Sequence, residues 1–454
     1  MRFTMSSAAA VVELLAVGGI LAYIAERRRW HPPLWAALAV GLAFRLQFLL
    51  LTHTIKTYDL YYDYHAAGVA VLHHQDPILH LRPSGWSFLP LYGFVLAGEV
   101  MLQHGLHVSW LYAGRSFAVV ADLAVIVLVG VVAGSRDGAL RRFQYACYPL
   151  AVLYAAGRMD VTCLALALGA FALVLHRRSR ISTRRALGAG GLLGLAVGVN
   201  SWPILFLPGL WRALPTRRAR LQSTAAVATV IGLLFVTMPL TVGTPIRDLP
   251  RDARTMLTYH PAVGDWGWSA VVADFYRLHW YSPAAITIGT VGSLVTLGAV
   301  VAAVWWWRRA HPLDLASVAP CAMIATTASF GSQYLLWPVP FLLARPPKRA
   351  WLYHASVSAW TIIGLAESAL PRHLRHPAYM IFIMASLLVV PAIVAAMPWE
   401  RRNALPASEQ PGATGRPDET ARPDLTRPAL GTPQVVLRPI SEHPAAAPSV
   451  LESG

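Results

Sequence analysis

The segment Tyr58-Asp59-Leu60-Tyr61-Tyr62-Asp63-Tyr64-His65 sets two carboxylates among four tyrosines just beyond a long apolar run. Residues of this kind add little to the burial that holds a helical bundle together, and ionisable groups at a membrane boundary are functional candidates by default. A carboxylate placed there meets a lipid head group and a water-soluble co-substrate at once. The chemistry it offers is removal of a proton from an acceptor hydroxyl. Asp59 is the candidate base, and Asp63, four residues on and therefore on the same helical face, is the second catalytic candidate. The plainer reading of both is a helix cap and a solvated surface beside interfacial tyrosines.

Further polar residues interrupt apolar sequence at Gly157-Arg158-Met159-Asp160, at Asn200-Ser201-Trp202, through Arg251–Trp268, and at Ser332-Gln333-Tyr334. Guanidinium forks match phosphate oxygens bidentately, so Arg158 and Arg254 are candidate phosphate clamps. Asp160 either faces substrate or pairs with Arg158. His260 is a second acid or base, or a surface histidine. Trp266 and Trp268 suit stacking on a sugar ring or anchoring at an interface. Asp122, inside an apolar segment, has Arg115 or Arg45 as a structural partner. No His, Cys, Asp or Glu spacing reads as a metal set, so no metal ligand is assigned, and assistance by a divalent cation is left open.

These residues need elements to position them, and composition says which. Of 454 residues, 56% are hydrophobic and 13% charged, which describes a polytopic all-α membrane protein. The formal charge of +16 is almost wholly arginine, Lys56 and Lys348 being the only lysines. Such an excess serves topology and contact with anionic lipid; no basic stretch is interleaved with stacking aromatics, so nucleic acid is not an expected partner. Cys147, Cys163 and Cys321 all sit in apolar runs, which implies neither a disulfide nor a zinc site. The first apolar run ends in Glu26-Arg27-Arg28-Arg29 without a small-residue cleavage site, and is expected to remain as a span.

Spanning windows cover Ser7–Ala25, Leu34–Leu51, Trp110–Ala133, Thr224–Val242, Pro283–Trp307, Leu352–Leu370 and Tyr379–Trp399. Between them lie three pairs of short arms: Phe143–Ala156 with Val161–Leu175, Leu187–Val199 with Pro203–Trp211, and Leu315–Phe330 with Leu335–Ala344. Broken helical pairs are tolerated in a membrane where they line a cavity. The total is about thirteen membrane segments. The Arg27–Arg29, Arg136–Arg142, Arg177–Arg185 and Arg217–Arg220 clusters place those loops in the cytoplasm and the N-terminus outside, while Arg372 and Arg375 are exceptions. The outer loops then fall at about 52–109 and 243–281, the first carrying Trp86–Leu102, interrupted by Pro90, as an interfacial helix. The transmembrane domain is 1–399. From Glu400 the chain turns to Pro, Ala, Arg, Glu, Thr and Ser, and 400–454 is expected to be a disordered cytoplasmic tail.

Asp59, Ala121-Asp122-Leu123, Gly157-Arg158-Met159-Asp160, Gly194-Leu195-Ala196-Val197-Gly198 before Pro203, and Ser332-Gln333-Tyr334-Leu335-Leu336-Trp337 follow one another in an order that resembles the GT-C superfamily of integral-membrane glycosyltransferases. The likeness in style is to bacterial polyprenol-phosphate-mannose-dependent mannosyltransferases and to the first mannosyltransferase of GPI-anchor synthesis. It implies a GT-C-like helical bundle, a polyprenyl-phosphate-sugar donor, a glycolipid or glycan acceptor, and an active site on the extracytoplasmic face. It also brings Gln333 and Tyr334 in as substrate-binding residues. Two departures stand out: a DxD-like pair is replaced by Asp59 and Asp63, and a lysine before the proline by Asn200-Ser201-Trp202. The arginine preference suits a GC-rich bacterial genome.

The sequence therefore reads as an inverting membrane glycosyltransferase, probing two rivals: a lipid or solute transporter, which would also use short broken helices, and a non-catalytic scaffold acting through its tail.

Overall fold

The computed structural model describes residues 5–53, 59–81, 88–155, 159–175, 181–258, 266–279, 282–370 and 372–401. Among these, helices are the only regular secondary structure. They are α1 (Met5–Arg28), α2 (Leu34–Leu51), α3 (His65–Leu72), α4 (Pro77–His80), α5 (Pro90–Leu106), α6 (Trp110–Ala133), α7 (Gly138–Cys147), α8 (Pro149–Tyr154), α9 (Asp160–Leu175) and α10 (Thr183–Val199). The chain continues through α11 (Leu207–Ala213), α12 (Arg217–Thr241), α13 (Leu249–Thr258), α14 (Trp268–Phe275), α15 (Pro283–Trp306), α16 (Pro312–Thr326), α17 (Val339–Ala344), α18 (Ala350–Ala369) and α19 (Arg372–Ala395). Six helical stretches are long and apolar enough to cross a membrane: Ser7–Arg28, Leu34–Leu51, Trp110–Ala133, Arg217–Thr241, Pro283–Trp306 and His376–Arg401. The protein is a polytopic helical membrane protein. The tail expected over 400–454 lies, from residue 402 onward, outside the described residues.

Prolines explain where the shorter arms break. A ring at an interior helix position removes an N–H and clashes with the preceding turn, whereas at the first turn it costs nothing. Phe143–Ala156, expected as one arm, is accordingly split at Tyr148 into α7 and α8, with Pro149 opening α8. Pro203 and Pro208 convert the next arm into a 3₁₀ turn, Trp202–Phe206, followed by α11, and Ser332–Leu336 is a 3₁₀ turn ahead of α17. Pro90 does not interrupt its helix but begins it.

Helix lengths then shape the interior. At 1.5 Å per residue, the 16 residues of α9, 17 of α10 and 15 of α16 span roughly 22–26 Å, whereas the 24 or 25 residues of α6, α12 and α15 span roughly 36 Å. The short helices therefore stop well below the reach of their long neighbours. A contact places the ends of α9 and α10 together: Asn200 Nδ2 lies 3.4 Å from the Met159 sulfur. α10 lies against α12 along Gly190, Gly194 and Gly198, where a Cβ at Gly190 would sit 2.2 Å from the Ser223 carbonyl oxygen. The Gly194–Gly198 motif is thus a close helix crossing of the small-residue kind.

Asp122 is fully buried in α6. Arg45 of α2 donates Nε to its Oδ2 at 2.7 Å, and Tyr145 of α7 donates its hydroxyl to Oδ1 at 2.8 Å. Arg45 also donates to the Ala146 and Gly41 carbonyls. Of the two cations expected for Asp122, Arg45 is the partner. Removing one member of a buried pair strands the other charge and costs about 3–5 kcal/mol, while replacing both by apolar groups can be near neutral. Arg45→Met should therefore lower the melting temperature in detergent more than the double variant Arg45→Met/Asp122→Leu. A double variant that melts below the single one would refute this account of the pair.

Candidate active site

Asp59–Tyr64 forms a single π-helical turn leading into α3. Its apolar members hold it down: Leu60 is buried and its carbonyl accepts the Trp110 indole N–H at 2.7 Å, while buried Tyr64 packs edge-on to Phe88 and Tyr92. Asp59 and Asp63 are left half-buried on the same turn. Burial pushes the Asp63 carboxyl up to about 6, and the Asp59 charge pushes it the same way. Among the described residues, Asp63 Oδ1 is buried without a hydrogen-bond partner. The Asp59 charge thus lies close enough to act on Asp63, and π turns are frequent at functional sites.

A second cluster forms where the short helices end. Asp160, the first residue of α9, is buried and accepts the Trp337 indole N–H at 2.7 Å. Trp337 is stacked between two rings: Trp202 with centroids 4.0 Å apart and planes at 4°, and Tyr334 at 4.2 Å and 29°. The structure therefore joins three separate sequence segments, around residues 159, 202 and 334, into one aromatic floor. Asp160 positions that floor through Trp337. Gln333 is half-buried, its amide lying where a Cβ on Gly331 would be. Trp202 Nε1, buried, has no acceptor.

The remaining candidates separate. Trp266 packs edge-on to Trp360 and Phe382 and its carbonyl accepts the Phe330 N–H at 3.2 Å, so its ring serves the core of the bundle. Trp268 is the more accessible indole. Arg254 is exposed on α13. Arg158 and His260 lie outside the described residues. Among the described residues, no three His, Cys, Asp or Glu side chains gather as a metal-holding group.

One pair escaped the sequence reading. Asp76 caps α4, accepting the Ile78 N–H at 2.8 Å on Oδ1 and the Thr244 hydroxyl at 2.6 Å on Oδ2. Asp252 of α13 is fully buried against it. Burial is the first cause that raises the Asp252 carboxyl, to about 7, and the neighbouring Asp76 and Asp248 charges act the same way. Asp76-Pro77 was a readable helix start; nothing local marks Asp252 as its partner.

A family model described as glycosyltransferase family 87 matches residues 87–330, more than half of the chain. The match contains Asp160, Trp202, Arg254 and Trp266, and leaves Asp59, Asp63, Gln333 and Tyr334 outside it. No curated protein matches the sequence.

Two outcomes follow. Asp160→Ala leaves the buried Trp337 N–H without an acceptor, a loss of about 1–3 kcal/mol, whereas Asp160→Asn retains an acceptor. Thermal unfolding followed by tryptophan fluorescence should rank them accordingly, and equal melting temperatures would refute the positioning role. For Asp252 the folded pKa lies above the unfolded value, so its contribution is complete below the unfolded value and is lost as pH rises through the folded one. Hydrogen exchange at the α13 amides, corrected for intrinsic rates, should therefore quicken with rising pH in the wild type. Asp252→Asn, which does not titrate, should remove that dependence.

Proposed function

We propose for this chain, which belongs to glycosyltransferase family 87, the inverting transfer of a hexose, mannose first among them, from a polyprenyl-phosphate donor to a glycolipid or glycan acceptor of the cell envelope. The family makes it a membrane glycosyltransferase; donor, sugar and acceptor are this reading's own additions. Family membership favours bond transfer over movement of an intact lipid.

The observation that carries the reading is the Asp59–Asp63 turn. A general base works best when its pKa lies near the working pH, and Asp63, raised to about 6 with one oxygen lacking a partner, meets that requirement. In the transfer step the acceptor hydroxyl gives its proton to the carboxylate pair as its oxygen bonds to the sugar C1. The C1–O bond to phosphate breaks with inversion, and the electron pair leaves with the lipid phosphate. Arginines stabilise that leaving charge, with Arg158 and Arg254 in this role. The aromatic floor of Trp202, Trp337 and Tyr334, with Gln333 beside it, offers apolar and polar surface to the sugar or lipid. This chemistry is assigned to the extracytoplasmic face, with the N-terminus outside and the 400–454 tail in the cytoplasm, on the strength of the arginine clusters in the alternate loops.

Transfer from polyprenyl-phosphate-mannose by the purified protein tests it. Loss of the base in Asp59→Asn or Asp63→Asn should lower kcat/KM about 10²–10⁴-fold. In the wild type kcat/KM should rise with pH through about 6 as Asp63 gives up its proton, and Asp63→Asn should abolish that limb. Full activity in both variants would remove the base assignment.

A further inference from the structure

A groove of about 350 Å³ lies between α15 and the segment running from the Trp202–Phe206 turn into α11, floored by Ala319 of α16. Its walls are apolar, including Ile204, Pro208, Val301 and Trp305, and the single charged residue among its lining is Arg308. α15 is one of the spanning helices and only 11% of its apolar window is buried, so the groove opens toward lipid.

The charge at the groove's end is organised. The Arg308 guanidinium lies 4.2 Å over the Trp305 ring, and its Nη1 donates to the Trp305 carbonyl at 2.9 Å. Arg309 is exposed next to it, and its carbonyl accepts Arg212 Nη2 at 3.5 Å, which brings in a third guanidinium from α11. Among the described residues, no carboxylate forms an ion pair with any of the three. By contrast Asp314, nearby at the start of α16, is paired with Arg345 and Arg401. Arg308 at the foot of an apolar slot, with Arg309 next in the chain and Arg212 bonded to its carbonyl, is complementary to a phosphate that carries a hydrocarbon chain.

We propose that this groove binds one anionic phospholipid, with an acyl chain lying between Ile204 and Trp305 and the phosphate at Arg308, Arg309 and Arg212. Basic pockets between membrane helices bind anionic head groups in this way. The groove shares the Trp202–Phe206 turn with the aromatic cluster, but none of its lining residues is among those assigned to the transfer, and its charged end, Arg308, follows the C-terminal end of α15. The inference stands whether or not the transfer reading does.

Native mass spectrometry of the full-length protein, titrated with phosphatidylglycerol or with phosphatidylcholine of identical acyl chains, tests it. The first bound phosphatidylglycerol should be preferred. Arg308→Gln and Arg309→Gln should each weaken it about fivefold, without moving the melting temperature in lipid-free detergent, and Arg218→Gln should leave it unchanged. Val301→Trp, which fills the groove from its exposed rim, should remove the first site for both lipids. Equal binding of the two lipids by the wild type, no effect of the arginine variants, or an isoprenoid chain as the molecule that Val301→Trp displaces would each overturn the proposal.

Discussion

A helix can end inside an apolar slab only if its orphaned backbone groups and its terminal side chains find partners there. This constraint governs the bundle, because α9 and α10 stop short of α6, α12 and α15. At their common end the chain supplies a carboxylate in the first turn of α9, an indole N–H that reaches it, and Asn200 against Met159. The acid at Asp160 also suits the positive end of the α9 dipole. The aromatic stack of Trp202, Trp337 and Tyr334 closes the surface over these polar groups. The aromatic cluster is therefore the consequence of short helices being capped by one another's loops.

Several carboxylates face cations: Asp122 meets Arg45, Asp314 meets Arg345 and Arg401, and Glu26 meets Arg141 at 2.6 Å. Two others have a carboxylate among their neighbours, Asp63 beside Asp59 and Asp252 beside Asp76. Like-charge pairs are costly unless one member takes a proton, and that requirement lifts the pKa of the member that takes it. Opposite-charge pairs hold the bundle. Like-charge pairs leave a proton with somewhere to go, which is what acid–base chemistry and pH-dependent docking need.

The spans were legible because long apolar windows are a strong signal: Leu34–Leu51 and Trp110–Ala133 are helices over the expected residues. The breaks inside the shorter arms were not read, although Pro149 and Pro208 stand at them, and Pro90 starts a helix that it was expected to interrupt. The aromatic floor was half legible: the segments holding Asp160, Trp202 and Tyr334 were singled out, but their meeting through Trp337 is a tertiary fact. Trp266 was chosen for its type, and its surroundings make it part of the core instead. The Asp76–Asp252 contact had no local signal, as Thr244, its other partner, is 168 residues from Asp76.

The π turn at Asp59–Tyr64 went unread for a related reason. Periodicity in the sequence distinguishes helix from strand, but the choice between an i→i+4 and an i→i+5 turn is made by what the turn packs against. Here Trp110 takes the Leu60 carbonyl and Phe88 and Tyr92 enclose Tyr64, so the apolar residues at 60 and 64 dictate the winding. The carboxylates at 59 and 63 then point where the apolar pair leaves room for them, partly out of water and within range of each other's charge. The partial burial that raises the Asp63 carboxyl is thus a by-product of how the apolar neighbours of the turn are anchored.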